Sequence, residues 1–314
     1  MLGTVLVTVS AAVFALAGVL TKMISTDAIT IACWRGLVGG LIVIAYVAWR
    51  GGRNGGSPNF RLGWRGLLLA VVGALASMAF IAAFKFTYVA NVTIIYATVP
   101  FMAALLDRVL LGERFNRRTM VAALVCFAGV GIMVGGGLSD GGLLGNLLAL
   151  AMTAGSALYI VLIRLFRETP VVLAGAVSAF MLFALGWFVT DPLDISRYDG
   201  VLLVAFGVSF AVGVILWTEG AKLIPAAESG LLGSAEMPFA VLFAMILLGE
   251  LPPFASVIGG VIVLTAVLAH AAWDFRSTRI ALTLDPGTGV LAEDDAAPTK
   301  RQMLGDIARP RRAR

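Results

Sequence analysis

The sequence predicts an all-α membrane protein with ten transmembrane helices, arranged as two inverted five-helix repeats around a central cavity. The first supporting observation is composition: 60% of the 314 residues are hydrophobic, 13% are charged and the mean hydropathy is +0.98. Soluble domains carry about 25% charged residues, so this composition excludes a water-soluble enzyme and a disordered chain. The second is a series of long apolar segments, and the third is a set of motifs shared by the two halves.

Ten apolar segments are each long enough to cross about 30 Å of hydrocarbon at 1.5 Å per residue. The alternating polarity of membrane β-strands is absent from them. The first segment lacks a basic leader and a small-residue cleavage site, so it is predicted to be a retained helix and not a signal peptide. The segments are 3–22, 29–49, 66–85, 91–110, 118–136, 142–162, 171–190, 200–219, 228–248 and 254–273.

Lys and Arg residues fall mainly on one side of these segments. If the N-terminus is cytoplasmic, 19 of them lie in cytoplasmic loops and the tail, whereas Lys22, Lys85 and Arg197 lie outside. Because cytoplasmic loops are enriched in Lys and Arg, we expect both termini in the cytoplasm and the chain in the cytoplasmic (inner) membrane. The same bias accounts for the net charge of +5, so no nucleic-acid partner is predicted.

The two halves of the chain repeat the same pattern. Pro100 lies in the fourth segment and is followed by Leu-Gly-Glu at 111–113, whereas Pro238 lies in the ninth and is followed by Leu-Gly-Glu at 248–250. The prolines are 138 residues apart and the boxes 137. Five helices per repeat is an odd number, so the second copy must be inverted, as is typical of secondary transporters. The predicted domains are repeats at 1–137 and 138–273 and a disordered cytoplasmic tail at 274–314.

These paired motifs resemble the ten-helix EamA-type branch of the drug/metabolite transporter superfamily. The resemblance covers about residues 4–273 and includes the Glu-x-Pro of Glu236-Met237-Pro238. It implies a central cavity lined mainly by helices 1, 3, 4, 6, 8 and 9, and the export of amino acids, other metabolites or drugs. The chain departs from the family in helix one, which begins almost at residue 1 and has Phe14 in the region where Trp is common.

Glu236 is the strongest candidate for substrate binding or coupling. Ionisable groups inside a bilayer cost several kcal/mol, and Glu236 lies eight residues into the ninth segment, two residues before Pro238. A proline kinks the helix and frees backbone carbonyls to line a cavity. A carboxylate there suits a proton-coupled carrier or an amine-binding site. The alternative is a Glu held by a fixed hydrogen bond that positions the helix.

Arg35, in the second segment, is the next candidate. A guanidinium binds a carboxylate or phosphate through two parallel hydrogen bonds, although it also reaches towards a membrane interface. Arg35 and Glu236 together would suit a zwitterion. The remaining candidates are polar or aromatic residues, which also serve as ordinary interhelical contacts, and two helix-kinking prolines. They are Tyr96, Thr98, Tyr159 and Trp217, with Pro100 and Pro238 as the kinks.

The sequence lacks the motifs of several other classes. It has no phosphate-binding loop of the Gly-x4-Gly-Lys-Ser/Thr type, and its one His and two Cys are too few for a catalytic zinc site. No cofactor, metal or catalytic residue is predicted. We therefore expect a secondary active exporter of small organic solutes that works by alternating access. A membrane enzyme or a flippase of lipid-linked substrates is the alternative. The expected partners are a small-molecule substrate, the lipid bilayer and protons as coupling ion, with the chain a monomer or homodimer.

Overall fold

The computed structural model describes residues 2–53, 62–112, 117–136, 142–166, 169, 171–224 and 226–284. In these ranges the chain forms twelve α-helices and no strand. It divides into two units after Asp274, and the second unit contributes only the last turns of α12 to the described residues. The helices are α1 (Leu2–Met23), α2 (Ala28–Arg53), α3 (Gly63–Phe86), α4 (Val89–Tyr96), α5 (Val99–Leu111), α6 (Arg117–Gly136), α7 (Leu143–Leu165), α8 (Val171–Val189), α9 (Arg197–Ala221), α10 (Ala226–Gly233), α11 (Glu236–Leu248) and α12 (Phe254–Leu284).

The ten predicted segments are all helical, which confirms the all-α membrane fold. Eight stretches in the described part of the chain are long and apolar enough to span a bilayer, with α4 and α5 together forming one of them. Two shorter apolar helices, Leu173–Val189 and Glu236–Leu248, complete the set. The protein is therefore a multi-pass membrane protein. Helix α12 continues to Leu284, past the end at 273 expected from the sequence, and residues 285–314 of the predicted tail lie outside the described residues.

The fourth and ninth segments are broken helices of identical design. Each consists of an eight-residue helix, a two-residue break and a thirteen-residue helix, and the second copy lies 137 residues after the first. Each ends at a glycine in the left-handed conformation, Gly112 with φ 72° and Gly249 with φ 64°. A side chain there would be strained, so the Leu-Gly-Glu boxes encode this helix end. Glu113 lies outside the described residues.

Helix packing follows the same symmetry. Helix α3 packs on α7, and α1 packs on α9. Likewise α2 packs on α9 as α8 packs on α3, and α1 packs on α11 as α7 packs on α5. Exchanging the first five membrane segments for the last five converts each of these pairs into its counterpart. The α2–α8 contact is converted into itself, and the α4–α11 contact joins the two counterpart broken segments, so both lie near the centre of the symmetry. This pattern agrees with two inverted repeats.

Glycines allow the closest of these contacts. A Cβ added to Gly36 in α2 would lie 2.6 Å from the backbone oxygen of Ala179 in α8. Since real Cβ atoms essentially never approach that closely and a backbone atom cannot rotate away, the α2–α8 contact requires a glycine. Small residues at helix interfaces are a general way to pack helices in membranes, where no hydrophobic force drives them together.

Replacing Gly36 with Ala is expected to destabilise the protein by about 1–3 kcal/mol, because overpacking forces the two helices apart. The measurement is thermal unfolding of the purified protein in detergent. The matched control is Gly175→Ala in α8, four residues before Ala179, where an added Cβ meets nothing within 4 Å. Equal unfolding temperatures for the two variants would contradict the requirement for glycine at position 36.

The start of α2 is fixed by Asp27. Its carboxylate accepts hydrogen bonds from the backbone N–H of Ile29 at 2.8 Å and of Thr30 at 3.0 Å, and from the Thr30 hydroxyl at 2.6 Å. Burial by itself would raise the pKa of Asp27, but these hydrogen bonds outweigh it and hold the pKa below its ordinary value. The cap therefore stabilises the fold above the unfolded pKa of the carboxyl group and loses that effect as the pH falls through the lowered value.

Candidate functional site

The two broken helices meet at Tyr96, Glu236 and Ser156, which we call the break cluster. Tyr96 is the last residue of α4 and Glu236 the first of α11, and these two helices pack together. The Tyr96 hydroxyl is hydrogen-bonded to Ser156 of α7. It also lies close enough to the Glu236 carboxylate for the two groups to interact electrostatically. The cluster therefore joins three membrane segments at the two helix breaks.

Glu236 is partly buried and, among the described residues, receives no hydrogen bond or ion pair. It lies at the first position of α11, where the unpaired N–H groups and the helix dipole favour a negative charge. The fixed side-chain hydrogen bond that would make Glu236 a purely positioning residue is absent from the described part of the chain. Its carboxylate is thus available to a ligand or a proton.

The prolines follow each break by a few residues. Pro100 is the second residue of α5 and Pro238 the third of α11. Because proline has no N–H, the carbonyls of Tyr96 and Ser234, four residues earlier, lose their usual α-helical donor. Thr98 is fully buried in the first break, and its hydroxyl donates to the Ile95 carbonyl at 2.7 Å. In this structure the Thr98 hydroxyl therefore satisfies a backbone carbonyl at the end of α4.

Trp217 and Tyr159 take different positions. The Trp217 ring of α9 packs directly on Gly233, the last residue of α10, and leaves no room for a side chain there. It therefore lies next to the second helix break. Tyr159 of α7 packs instead towards α3 and α8, since a Cβ at Gly73 would lie 3.2 Å from both its ring and the Ser178 hydroxyl. The structure thus places Trp217 beside the break that precedes Glu236, and Tyr159 in a separate apolar cluster.

Arg35 lies in an aromatic cage formed by Phe80, Phe206 and Phe210. The guanidinium carbon is 5.8, 5.6 and 4.7 Å from the three ring centroids, respectively. The residue is 8% exposed, and its Nη2 donates a hydrogen bond to the Ser77 hydroxyl. Cation–π contacts contribute about 0.5–2 kcal/mol each, so the cage offsets part of the cost of burying this charge.

The structure does not bring Arg35 and Glu236 together. Arg35, in α2, is enclosed by residues of α3 and α9, whereas Glu236 begins α11, which packs on α4. No ion pair joins the two groups in the described part of the chain. The sequence predicts that the pair would suit the two ends of one zwitterion. In the described conformation they form two separate polar positions within the bundle.

A charged network, which we call the far-face latch, lies at the face where α1 ends. It consists of Lys22, Glu250 and the N-terminus of α4. Lys22 forms an ion pair with Glu250, whose second oxygen accepts the Val89 backbone N–H at 3.1 Å. Lys85 donates to the Ile24 carbonyl. An open pocket of about 270 Å³ lies here, lined by Lys22, Lys85, Phe86, Thr87, Tyr88, Gly142 and Glu250.

The opposite face carries its own ion pairs. Arg164 at the end of α7 pairs with Asp107 near the end of α5, and we call this pair the near-face latch. Exchange of the repeats relates α7 and α5 to α1 and α11, so the two latches occupy corresponding places on opposite faces. A second group lies on the near face, where Glu219 at the end of α9 pairs with Arg50 and, at 3.0 Å, with Lys222.

Several residues of these sites were not identified from the sequence. Ser77 and Ser156 are ordinary small polar residues there, and the three cage phenylalanines are ordinary apolar ones. One signal was available for Asp107, an acidic residue inside the fourth apolar segment and so subject to the same argument as Glu236. Its burial and its pairing with Arg164 follow from the packing of α5 on α7.

Comparisons with known proteins agree with this architecture. The sequence profile of the EamA-like transporter family matches residues 1–135 and 143–270. The uncharacterized transporter YetK of Bacillus subtilis (strain 168) is 30% identical over 194 residues, covering 54% of this chain and 58% of YetK. The uncharacterized transporter YyaM of the same organism is 26% identical over 223 residues, covering 64% of this chain and 71% of YyaM. The match to YetK thus spans less than two thirds of that protein.

A solved crystal structure has the same fold. It superposes with a TM-score of 0.61 at 20% sequence identity and covers 87% of this chain and 98% of the solved chain. At this identity the similarity establishes the fold alone. The family match covers both halves of the chain, with its boundary at 135–143 close to the junction predicted between the repeats.

Proposed function

Because the chain belongs to the EamA-like transporter family, we propose that it is a secondary carrier of small organic solutes that works by alternating access. It is a multi-pass membrane transporter, and the proposal adds its mechanism and direction: export of amino acids, related metabolites or drugs. We place it in the cytoplasmic membrane with both termini in the cytoplasm. Its two repeats, 1–137 and 138–273, form one transport unit, and the chain acts as a monomer or homodimer.

The observation that carries the proposal is the break cluster. Discontinuous helices expose backbone polar groups and helix ends inside a membrane protein, and transporters use them to bind substrates and ions near the bilayer midplane. Here two identical breaks adjoin, and the Glu236 carboxylate next to them has no fixed partner among the described residues. Such a group suits a solute amine or a coupling proton, so protons are the proposed coupling ion.

The two latches support alternating access. In a carrier built from inverted repeats, motion of one repeat against the other closes one face while it opens the opposite face. The far-face latch joins α1, α4 and Glu250, which lies two residues after α11, whereas the near-face latch joins α5 and α7. Ion pairs at protein surfaces contribute about 0–1 kcal/mol, which is weak enough to break and re-form in every cycle.

The test is transport by the purified protein in liposomes. Amino acids, amines, organic acids and nucleosides are screened by solid-supported-membrane current, with and without a pH gradient, and silent solutes are rechecked by radiolabel exchange. We expect a saturable, solute-specific signal that protein-free liposomes lack. Silence across the panel in both assays, from protein that elutes as a single folded species, would overturn the proposed carrier of metabolites and direct attention to lipid substrates.

A further inference from the structure

We infer that Arg35 and its aromatic cage form a recognition site for a carboxylate, so that the transported solute is an organic acid or an amino acid bound through its carboxylate. This inference rests on the proposed carrier function and specifies its substrate class. It concerns α2, α3 and α9, and it is separate from the break cluster around Glu236.

The first argument is the missing counter-charge. Arg35 is more than nine-tenths buried within a membrane helix, and no Asp or Glu pairs with it in the described part of the chain. Buried charges in proteins are usually paired, and intramembrane ones usually mark a ligand or ion pathway. A guanidinium has five N–H donors, whereas the structure gives Arg35 one hydrogen-bond acceptor among the described residues, the Ser77 hydroxyl.

The second argument is the chemistry of the surroundings. Phe80, Phe206 and Phe210 enclose the cation with apolar rings, which exclude water and keep the local dielectric constant low. In such an environment a charge-assisted pair of hydrogen bonds is stronger than in water. A planar carboxylate matches the planar guanidinium fork and its single charge. A phosphate dianion would need a second cation, and none contacts this cage in the described structure.

The third argument comes from the repeat. Helix α8 is the counterpart of α2, and it packs on α3 as α2 packs on α9. It has no ionisable residue between Val171 and Val189. The architecture thus forms this contact without any charge on the α8 side, and packing alone does not require an arginine at position 35.

The experiment compares solutes that differ only in the carboxylate. Radiolabelled L-leucine, L-phenylalanine and benzoate are measured in proteoliposomes beside leucinamide, phenylalaninamide and benzamide. We expect the wild type to transport at least one acid with a KM roughly 10- to 100-fold lower than that of its amide, the range that a charged hydrogen-bonded pair supplies.

Three variants separate recognition from folding. Arg35→Gln is expected to raise the KM of the acid by roughly 10- to 100-fold and to leave the amide unchanged. Arg35→Lys keeps the charge but loses the planar fork of N–H donors. Its KM for the acid is expected to lie between those of the wild type and Arg35→Gln, and it replaces the glutamine variant as the test if that variant does not fold. Arg197→Gln removes an exposed arginine at the start of α9 and is the matched control, with an unchanged KM.

The outcomes are distinguishable. Equal transport of acid and amide by the wild type, transport of amines alone, or preserved discrimination in Arg35→Gln would each overturn carboxylate recognition and leave the carrier function standing. If the folded wild type moves neither these solutes nor those of the broader panel, the proposed carrier function fails, and the inference fails with it.

Discussion

Glu236→Gln is expected to abolish pH-driven transport while the protein stays folded. Glutamine has nearly the same shape but cannot take up and release a proton, so the break cluster would lose its titratable group. Tyr96 and its hydrogen-bond partner Ser156 are not altered by the substitution, and the uncharged amide is cheaper to bury than a carboxylate. We therefore expect a size-exclusion profile like that of the wild type, with pH-gradient-driven uptake reduced to the level of protein-free liposomes.

Two further variants make this result specific. Glu236→Asp keeps an acid and should retain part of the coupling. Glu228→Gln removes the other acidic residue of the same broken helix, at the near face, where its carboxylate accepts a hydrogen bond from Thr4 at 3.2 Å. This control should retain pH dependence. Uptake that still follows the pH gradient in Glu236→Gln would remove Glu236 from the coupling step.

Charge reversal at the far-face latch is the second large effect that we expect. Lys22→Glu would place two carboxylates at the N-terminus of α4, and Glu250→Lys would place two ammonium groups there and leave the Val89 N–H without its acceptor. Each single variant should destabilise the conformation in which the far-face latch is formed. Each should also transport more slowly than the wild type. The double reversal restores attraction but not the cap, because lysine accepts no hydrogen bond. Its stability should therefore lie between that of the wild type and the singles.

A double-mutant cycle measures the latch. We expect thermal unfolding of the four proteins to give a coupling energy of about 0.5–1 kcal/mol, as for an ion pair in direct contact that water still reaches. Comparison of Glu250→Gln with Glu250→Ala isolates the cap, since glutamine keeps an oxygen for Val89, and a lost cap costs about 1 kcal/mol. Additive effects, with no coupling between positions 22 and 250, would show that the two charges do not act as a unit.

The sequence predicted the membrane segments because each depends on local composition. A run of about 20 apolar residues must satisfy its backbone within one helix, whatever its neighbours are. The paired motifs likewise indicated the broken segments, since Pro100 and Pro238 act on the carbonyls four residues before them. The lengths of the two breaks and the short helices required the structure, because turns of two residues leave no compositional signal.

The candidate residues divide in the same way. Glu236 and Arg35 could be singled out because an ionisable side chain in an apolar segment is costly anywhere. Their surroundings could not be predicted. Thr98 bonds to its own helix end, Tyr159 packs towards α8, and Tyr96 and Trp217 lie beside the breaks. All four are polar or aromatic residues in apolar segments, and nothing in the sequence distinguishes one of them from another.

By itself, the sequence determined that this chain is a ten-segment, all-helical membrane protein with a repeated, inverted design. These properties follow from hydrophobicity, helix period and spacing along the chain. The tertiary structure decided which charges are paired and which are alone. Lys22 meets Glu250 across 228 positions and Arg35 meets Ser77 across 42. Such contacts depend on how the helices pack. The lack of an ionic partner for Arg35 and Glu236 among the described residues, on which the functional proposals rest, therefore became visible only in three dimensions.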